Sequence, residues 1–187
     1  MITLEQLAAA LYGVWLLLKL DPSALEYFEK TPGGFARSFL PAIVLAPLYI
    51  VHSILVYEPG HTKLALGPYL VVQILSQVID AVAFPFVMLY VTQLLHRAPR
   101  FLTYIIPYNW FQLAVGAVMV AILLLSDTGA ISSLLAEYIY LFILIVYFTF
   151  GAFIARIGLS IGLMTSIGIV ILDYLLSLLT GQLIARI

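Results

Sequence analysis

Two aspartates, Asp80 and Asp173, are the residues of this sequence best suited to do chemistry, because each lies near the middle of a long apolar stretch. A lone carboxylate at the centre of a bilayer costs about 2.5–3.5 kcal/mol on insertion scales. No Lys or Arg lies within the apolar core of either stretch to neutralise it. We therefore expect each acid to be buried, protonated or partnered, which makes the pair a candidate proton or cation site.

Polar side chains share a helical face with each aspartate when residues are placed at intervals of about 100°. Beside Asp80 they are Gln73, Ser76 and Gln77. Beside Asp173 they are Ser166, Ser177 and Thr180. Both faces are expected to turn into a helix bundle. Two interpretations stay open: a proton or cation site on a solute pathway, or neutral acids that join helices by hydrogen bonds.

The overall composition requires a membrane environment for any fold that positions these residues. Of 187 residues, 64% are hydrophobic and only 9% are charged, and the mean hydropathy is +1.16. Soluble domains carry about 25% charged residues. The net charge of −1 gives no positive electrostatic field that would attract nucleic acid. The absence of cysteine excludes disulfides, thiolate metal sites and a cysteine nucleophile. The lipid bilayer is therefore the expected solvent.

Five segments are long enough to cross a bilayer, which takes about 20 mostly apolar residues. They cover residues 38–57, 64–95, 101–126, 137–155 and 158–185, and a very short link around Arg156 joins the last two. The prediction is an all-α, polytopic helical membrane protein with five transmembrane helices plus an N-terminal amphipathic interfacial helix. Residues 1–37 form the cytoplasmic or interfacial segment, and residues 38–187 form the transmembrane bundle.

The N-terminal segment has an apolar stripe but too short an apolar run for a comfortable span. The residues of the stripe recur at helical spacing and are Leu4, Leu7, Leu11, Trp15 and Leu18. Because the uninterrupted apolar run covers only residues 7–18, an interfacial helix is favoured over a sixth span. A second short helix is predicted from a cap at Asp21 through Lys30, ended by the turn at residues 31–34.

The basic residues indicate an orientation, because cytoplasmic loops carry an excess of Lys and Arg. One side of a five-span bundle receives Lys19, Lys30, Arg37, Arg97, Arg100 and Arg156. The other side receives Lys63 and Arg186. This distribution places the N-terminus in the cytoplasm and the C-terminus outside. An interfacial aromatic belt is predicted at Tyr104, Tyr108 and Trp110, with Asn109 at the headgroup level.

Small residues at four-residue intervals, Gly158, Gly162 and Ser166, lead into the face of Asp173. This spacing lets another helix approach closely. Helix packing within one chain is the favoured interpretation, and an interface with a second copy or another membrane subunit is the alternative. A shorter polar edge on the third span contains Asn109, Gln112 and Gly116.

The three histidines are not expected to form a metal or cofactor site. His52 lies in the first span, His61 in the outer loop and His96 at the cytoplasmic end of the second span, so none has a ligand partner at helical spacing. The sequence contains no P-loop, dinucleotide-binding, serine-nucleophile or zinc-protease motif. No catalytic residue, cofactor or metal ligand is predicted, and an enzyme is the least favoured class.

Residues 17–47 carry a recognisable local pattern: LLKLDP at 17–22, GFARSF at 34–39, and Pro47 in the first span. Together with a cytoplasmic N-terminal segment and five closely spaced spans, this pattern resembles the Yip1-like membrane proteins, in particular their bacterial members. The resemblance implies a multi-pass protein of the bacterial inner membrane. Eukaryotic members are associated with Rab GTPases and vesicle traffic, but that role is not carried over to any residue here.

Two function classes are favoured over an intramembrane enzyme, the third. The favoured one is a non-enzymatic membrane-organising or accessory subunit that acts through helix packing and its amphipathic N-terminus. Its partners are the bilayer and other membrane subunits or a second copy. The alternative is a proton- or cation-coupled small-solute transporter or channel that uses Asp80 and Asp173.

Overall fold

A computed structural model describes residues 2–59 and 64–184, with the side chains of the last helix described as far as Gln182. These residues form seven α-helices and contain no β-strand. The helices are α1 (Leu4–Leu17), α2 (Pro32–Arg37), α3 (Leu40–Leu55), α4 (Leu66–Leu94), α5 (Phe101–Asp127), α6 (Ser133–Leu159) and α7 (Leu163–Ile184). Short 3-10 turns at Pro22–Tyr27 and Ala98–Arg100 precede α2 and α5.

Five apolar helical segments are long enough to cross a membrane. They cover Pro32–Leu55, Leu66–Leu94, Ala98–Asp127, Ser133–Leu159 and Leu163–Gln182. The shortest has 20 residues and, at about 1.5 Å per residue, extends about 30 Å, the thickness of a hydrocarbon core. The chain is therefore an all-α, multi-pass membrane protein, and the predicted fold class is confirmed.

The junction between the fourth and fifth spans lies later in the chain than predicted. Arg156 is in the last turn of α6, which continues to Leu159. The helix ends at Ser160, whose left-handed backbone (φ 51°) turns the chain before α7 begins at Leu163. A single arginine leaves the backbone hydrogen bonds of a helix intact, whereas a left-handed residue ends them. The prediction of a link around Arg156 is therefore wrong.

This junction divides the predicted series of small residues between two helices. Gly158 belongs to α6, where a Cβ atom would lie 2.8 Å from the Cα atom of Tyr104 on α5. Gly162 lies in the link before α7, and a Cβ atom there would meet no atom within 4 Å. Ser166 is fully buried in α7. Gly158 is thus a close helix contact within the chain, and the prediction of such a contact at Gly162 is wrong.

Helix α1 is too short to be a sixth span. Its 14 residues extend about 21 Å, and a capping box formed by Thr3 and Gln6 closes its first turn. The residues that it buries are Ala10, Gly13, Val14, Leu16 and Leu17. The predicted stripe largely points away from the protein, since its exposed members are Leu4, Leu11, Trp15 and Leu18. This leaves an apolar face free to contact lipid, as an interfacial helix requires.

The segment after α1 differs from its prediction. Asp21 caps a 3-10 turn, as expected for a cap, but the turn ends at Tyr27, earlier than predicted. Thr31 and Pro32 were expected to end a helix and instead begin α2, because the Thr31 hydroxyl accepts a hydrogen bond from the first turn. The predicted segment boundary at residue 37 falls inside the span Pro32–Leu55.

Helix α5 lies at the centre of the bundle and contacts α1, α2, α3, α4 and α6, while α7 packs against α4 and α6. Residues 104–111 of α5 are all buried. Tyr104, Tyr108 and Trp110 are therefore core residues, between 0% and 5% exposed. The predicted interfacial belt is wrong at these positions, because neighbouring helices rather than lipid headgroups cover the rings.

The histidines of the described residues lie at helix ends. His52 joins α3 to α5, with its Nδ1 atom 2.6 Å from Oδ2 of Asp127. His96 follows the end of α4. His61, Lys63 and Arg186, which entered the sequence predictions, lie outside the described residues.

Candidate functional site

A cavity of about 410 Å³, here called the central cavity, lies inside the bundle, and all five spans contribute to its wall. Its polar lining residues are Ser38 and Tyr49 from the first span, Gln77 and Asp80 from α4, Tyr108, Asn109 and Gln112 from α5, Tyr147 from α6, and Asp173, Ser177 and Thr180 from α7. The two aspartates singled out from the sequence therefore line the same cavity.

The acids come from the middle of their helices. Asp80 is the central residue of the 29-residue helix α4, and Asp173 is a central residue of the 22-residue helix α7. Asp80 accepts a hydrogen bond from Thr180, which follows Asp173 by two helical turns on α7. At 1.5 Å per residue, the two acids are offset by about 10 Å along the bundle axis. The cavity therefore presents two acidic positions at different depths.

Asp173 is held firmly by side chains from two neighbouring helices. Tyr108 of α5 and Tyr147 of α6 both donate their hydroxyl protons to Oδ2 of Asp173. Gln112 donates in turn to the hydroxyl oxygen of Tyr108. Only 7% of Asp173 is exposed. These bonds connect α5, α6 and α7 and satisfy a carboxyl group that would otherwise destabilise the bundle.

Asp80 is more accessible than Asp173. The residue is exposed, and it accepts a hydrogen bond from the Thr180 hydroxyl. The same hydroxyl lies 2.9 Å from the carbonyl oxygen of Ser177, one turn earlier on α7. Thr180 thus orients one carboxylate oxygen while the group stays open to the cavity.

Asn109 joins the first span to α5 at the cavity wall. Its Nδ2 group donates to Oγ of Ser38 at 2.8 Å, and the Ser38 hydroxyl donates to the carbonyl oxygen of Phe35 at 2.7 Å. Ser38 and Asn109 are both buried, at 1% and 7% exposure. The prediction that Asn109 lies at the headgroup level is wrong, because its amide meets a buried hydroxyl partner inside the protein.

The central cavity is acidic and rich in aromatic rings. Among the described residues that line it there are two carboxyl groups and no Lys, Arg or His. The rings of Phe84 and Tyr108 lie with their centroids 4.8 Å apart, and Phe39, Tyr49 and Tyr147 also line the wall. Carboxylates and ring faces both attract positive charge. The site is therefore suited to a cation.

No metal cluster occurs in the part of the chain that the structure describes: its His, Asp and Glu side chains form no group of three or more suited to an ion. The cavity instead offers separated carboxyl groups, hydroxyl groups and amides. Such a donor set is suited to a proton, a weakly held ion or a small organic molecule.

Most of the predicted site residues come together. Gln77, Asp80, Asp173, Ser177 and Thr180 all line the central cavity. Gln73 lies outside it, on an adjoining groove between α3 and α4. Ser76 is buried within α4, and Ser166 bonds to the Leu163 carbonyl of its own helix at 2.7 Å.

Sequence reasoning missed the tyrosines of the site. Tyr49 and Tyr147 were not singled out, and Tyr108 was assigned to the interface. One usable signal was the spacing of Tyr108 and Gln112, because residues four apart lie on one helical face. This spacing extends the polar edge of Gln112 and Gly116 toward Asp173.

Comparisons of the chain with protein-family models, with curated proteins and with solved structures find no match. The resemblance to Yip1-like proteins therefore stays a prediction.

Proposed function

We propose that this protein moves a cation across the membrane through the central cavity, as a proton- or cation-coupled small-solute transporter or channel. The observation that carries the proposal is the convergence of Asp80 and Asp173, from the middle of two different spans, on one cavity. Ionisable residues at such depth are expensive, and they mark ion pathways and proton relays.

The different surroundings of the two acids support a binding role over a purely structural one. Asp173 by itself fits a structural contact, since it is buried and bonded to Tyr108 and Tyr147. Asp80 does not fit a purely structural contact, because it stays accessible even though it accepts a hydrogen bond from Thr180. An accessible carboxyl group inside a membrane needs water or a ligand. A cation in the cavity would supply that partner.

The geometry suggests a division of roles. Asp80 is the open acid and makes the first contact with the cation. Asp173 is the restrained acid, and any change in its charge must rearrange the hydrogen bonds from Tyr108 and Tyr147. Because these tyrosines belong to α5 and α6, such a rearrangement would connect the charge state of the cavity to helix packing.

The proposed setting is the bacterial inner membrane, with a cytoplasmic N-terminus and an outer C-terminus. The excess of basic residues on one side supports this orientation. The resemblance to bacterial Yip1-like proteins supports the choice of membrane.

A flux assay tests the proposal. The full chain is reconstituted in liposomes that contain a pH-sensitive dye, and a potassium gradient with valinomycin sets a negative interior. We expect proton influx, which the dye reports, or uptake of radiolabelled tetramethylammonium, counted in parallel vesicles, to exceed that of empty liposomes. Asp80→Asn and Asp173→Asn should reduce it about tenfold or more, because removing one charged partner of a buried ion pair costs several kcal/mol. Glu137→Gln, which neutralises an exposed carboxyl group on α6, should leave it unchanged.

Flux that persists at the wild-type rate in Asp80→Asn would contradict the proposal, as would a wild-type protein that is no more permeable than empty liposomes. A membrane-organising or accessory role is the second candidate. It is favoured by the exposed stripe of α1, in which Trp15 is 52% and Leu11 is 44% accessible. A protein without flux whose α1 binds vesicles would support that role.

A further inference from the structure

An apolar groove of about 360 Å³, here called the α3–α4 groove, adjoins the central cavity. Among the described residues that line it there is no Asp, Glu, Lys, Arg or His. Five residues line both spaces: Phe39, Ala42, Tyr49, Gln77 and Ala81. The groove and the acidic cavity therefore meet along the contact between the first span and α4.

The outer wall of the α3–α4 groove faces the surroundings of the bundle. Ile43 is 65% exposed, Ile74 is 44% exposed and Val78 is 54% exposed. At the depth of a membrane span these surroundings are lipid chains. The groove thus connects the hydrocarbon phase to the cavity that contains Asp80.

The size and lining of the central cavity restrict what its occupant can be. A volume of about 410 Å³ lies in the range of small-molecule pockets, and is far more than a bare ion needs. Two acids provide charge complementarity for a positive group. The half-buried ring of Tyr49 also lines the cavity, and aromatic rings are the side chains that bind organic ammonium groups.

We propose that the transported solute is a cationic amphiphile, an organic ammonium compound with an apolar tail. Its ammonium head lies in the central cavity beside Asp80, and its tail passes Ala42 and Ala81 into the α3–α4 groove. These alanines leave room for a chain at the junction of the two spaces. The inference rests on the proposed function, because it names the substrate class of the same site.

The test uses alkyltrimethylammonium ions that share one head and differ in tail length: tetramethyl-, butyltrimethyl- and octyltrimethylammonium. Binding to the full chain in nanodiscs is measured by equilibrium dialysis, with empty nanodiscs subtracted. We expect the affinity of wild type to rise up to about fourfold per added methylene, the equivalent of about 0.8 kcal/mol per buried CH₂. Asp80→Asn should weaken binding of all three ions.

Two substitutions on α3 separate the tail site from the head site. Ala46 lines the groove and not the cavity, so Ala46→Phe should weaken octyltrimethylammonium about tenfold or more and leave tetramethylammonium unchanged. Val44→Phe is the matched control, because Val44 is 62% exposed and lines neither space. It should change neither affinity.

Equal affinities for all three ions, or a chain-length dependence that survives Ala46→Phe, would overturn the assignment of the tail. Proton flux that depends on Asp80, without Asp80-dependent binding of any ammonium ion, would overturn this inference and leave the proposed function standing. Failure of the flux assay itself would remove both.

Discussion

Asp173 is tolerated in the middle of α7 because two phenol groups donate to the same carboxylate oxygen. The donors, Tyr108 and Tyr147, come from two different helices, and Gln112 supports Tyr108 from the next turn of α5. A buried acceptor with such partners is satisfied without a basic residue. These side chains therefore decide whether the acid stabilises the bundle or disrupts it.

Removing one of these donors should weaken the bundle measurably. Tyr147→Phe keeps the ring and deletes the hydroxyl group that donates to Asp173. We expect a loss of about 0.6–1.7 kcal/mol in the free energy of unfolding, from the average to the largest value for interhelical hydrogen bonds in membranes. Steric-trapping or detergent unfolding measures it. Tyr138→Phe, at a site on α6 that is 63% exposed, is the control and should change little. Equal stability of both variants would show that the Tyr147 bond contributes nothing.

At the level of helices, α6 packs directly on the backbone of α5 at Gly158. The Cβ position of Gly158 lies 2.8 Å from Cα and 3.1 Å from Cβ of Tyr104. Backbone atoms cannot rotate away as the end of a flexible side chain can. A larger residue at Gly158 must therefore push the two helices apart.

The two glycines on either side of the Ser160 turn, Gly158 and Gly162, should respond differently to substitution by alanine. Gly158→Ala should lower the free energy of unfolding by about 1–3 kcal/mol, because overpacking forces backbone shifts in a close-packed interior. Gly162→Ala is the internal control, since a Cβ atom there meets nothing within 4 Å. Thermal unfolding in detergent compares the two. If Gly162→Ala is the more damaging change, the assignment of Gly158 as the contact is wrong.

At the scale of the whole molecule, Glu29 connects the N-terminal helix to the first span. It accepts hydrogen bonds from Gln6 of α1 at 3.1 Å and from the Thr31 hydroxyl at 2.7 Å. Its carboxylate also pairs with Arg37 of α2. The Thr31 hydrogen bond and then the Arg37 guanidinium lower the pKa of Glu29 from its ordinary value of 4.5.

Because the pKa of Glu29 is lowered, the attachment of α1 to the bundle should depend on pH. A carboxyl group with a depressed pKa in the folded state stabilises that state above its ordinary pKa of 4.5, and the contribution is lost as the pH falls through the folded value. We therefore expect the attachment of α1 to be complete at pH 7 and to weaken as the pH falls below 4.5, while the buried apolar residues of α1 still hold it to the bundle.

The absence of cysteine makes this change measurable with spin labels at introduced cysteines. Leu4→Cys and Leu94→Cys are suitable positions, because they are 87% and 78% exposed. The distance between the labels should lengthen or broaden on acidification. Glu29→Gln should show part of that change already at pH 7, and Glu26→Gln should behave as wild type. An unchanged distance between pH 7 and a pH well below 4.5 would exclude this role of Glu29.

Much of the fold was predictable, because membrane spans are determined by apolar length alone. The errors occurred where local chemistry was ambiguous. Arg156 was taken for a link although a helix continues through a single charge, and Ser160 carries no sequence signal for the left-handed turn that it adopts. Tyr108 was placed at the interface because aromatic residues are common there. Inside the bundle it packs against the ring of Phe84 on α4 and donates a hydrogen bond to Asp173 on α7.

Five apolar helices long enough to cross a membrane, and a polar helical face around each of Asp80 and Asp173, could be read from the amino-acid order, since length and periodicity are local properties. It took the packed bundle to show that those two faces line one cavity, and that Tyr108 and Tyr147 contact Asp173 while Asp80 stays open. Periodicity specifies which residues share a face, whereas the packing of all the helices specifies which faces meet.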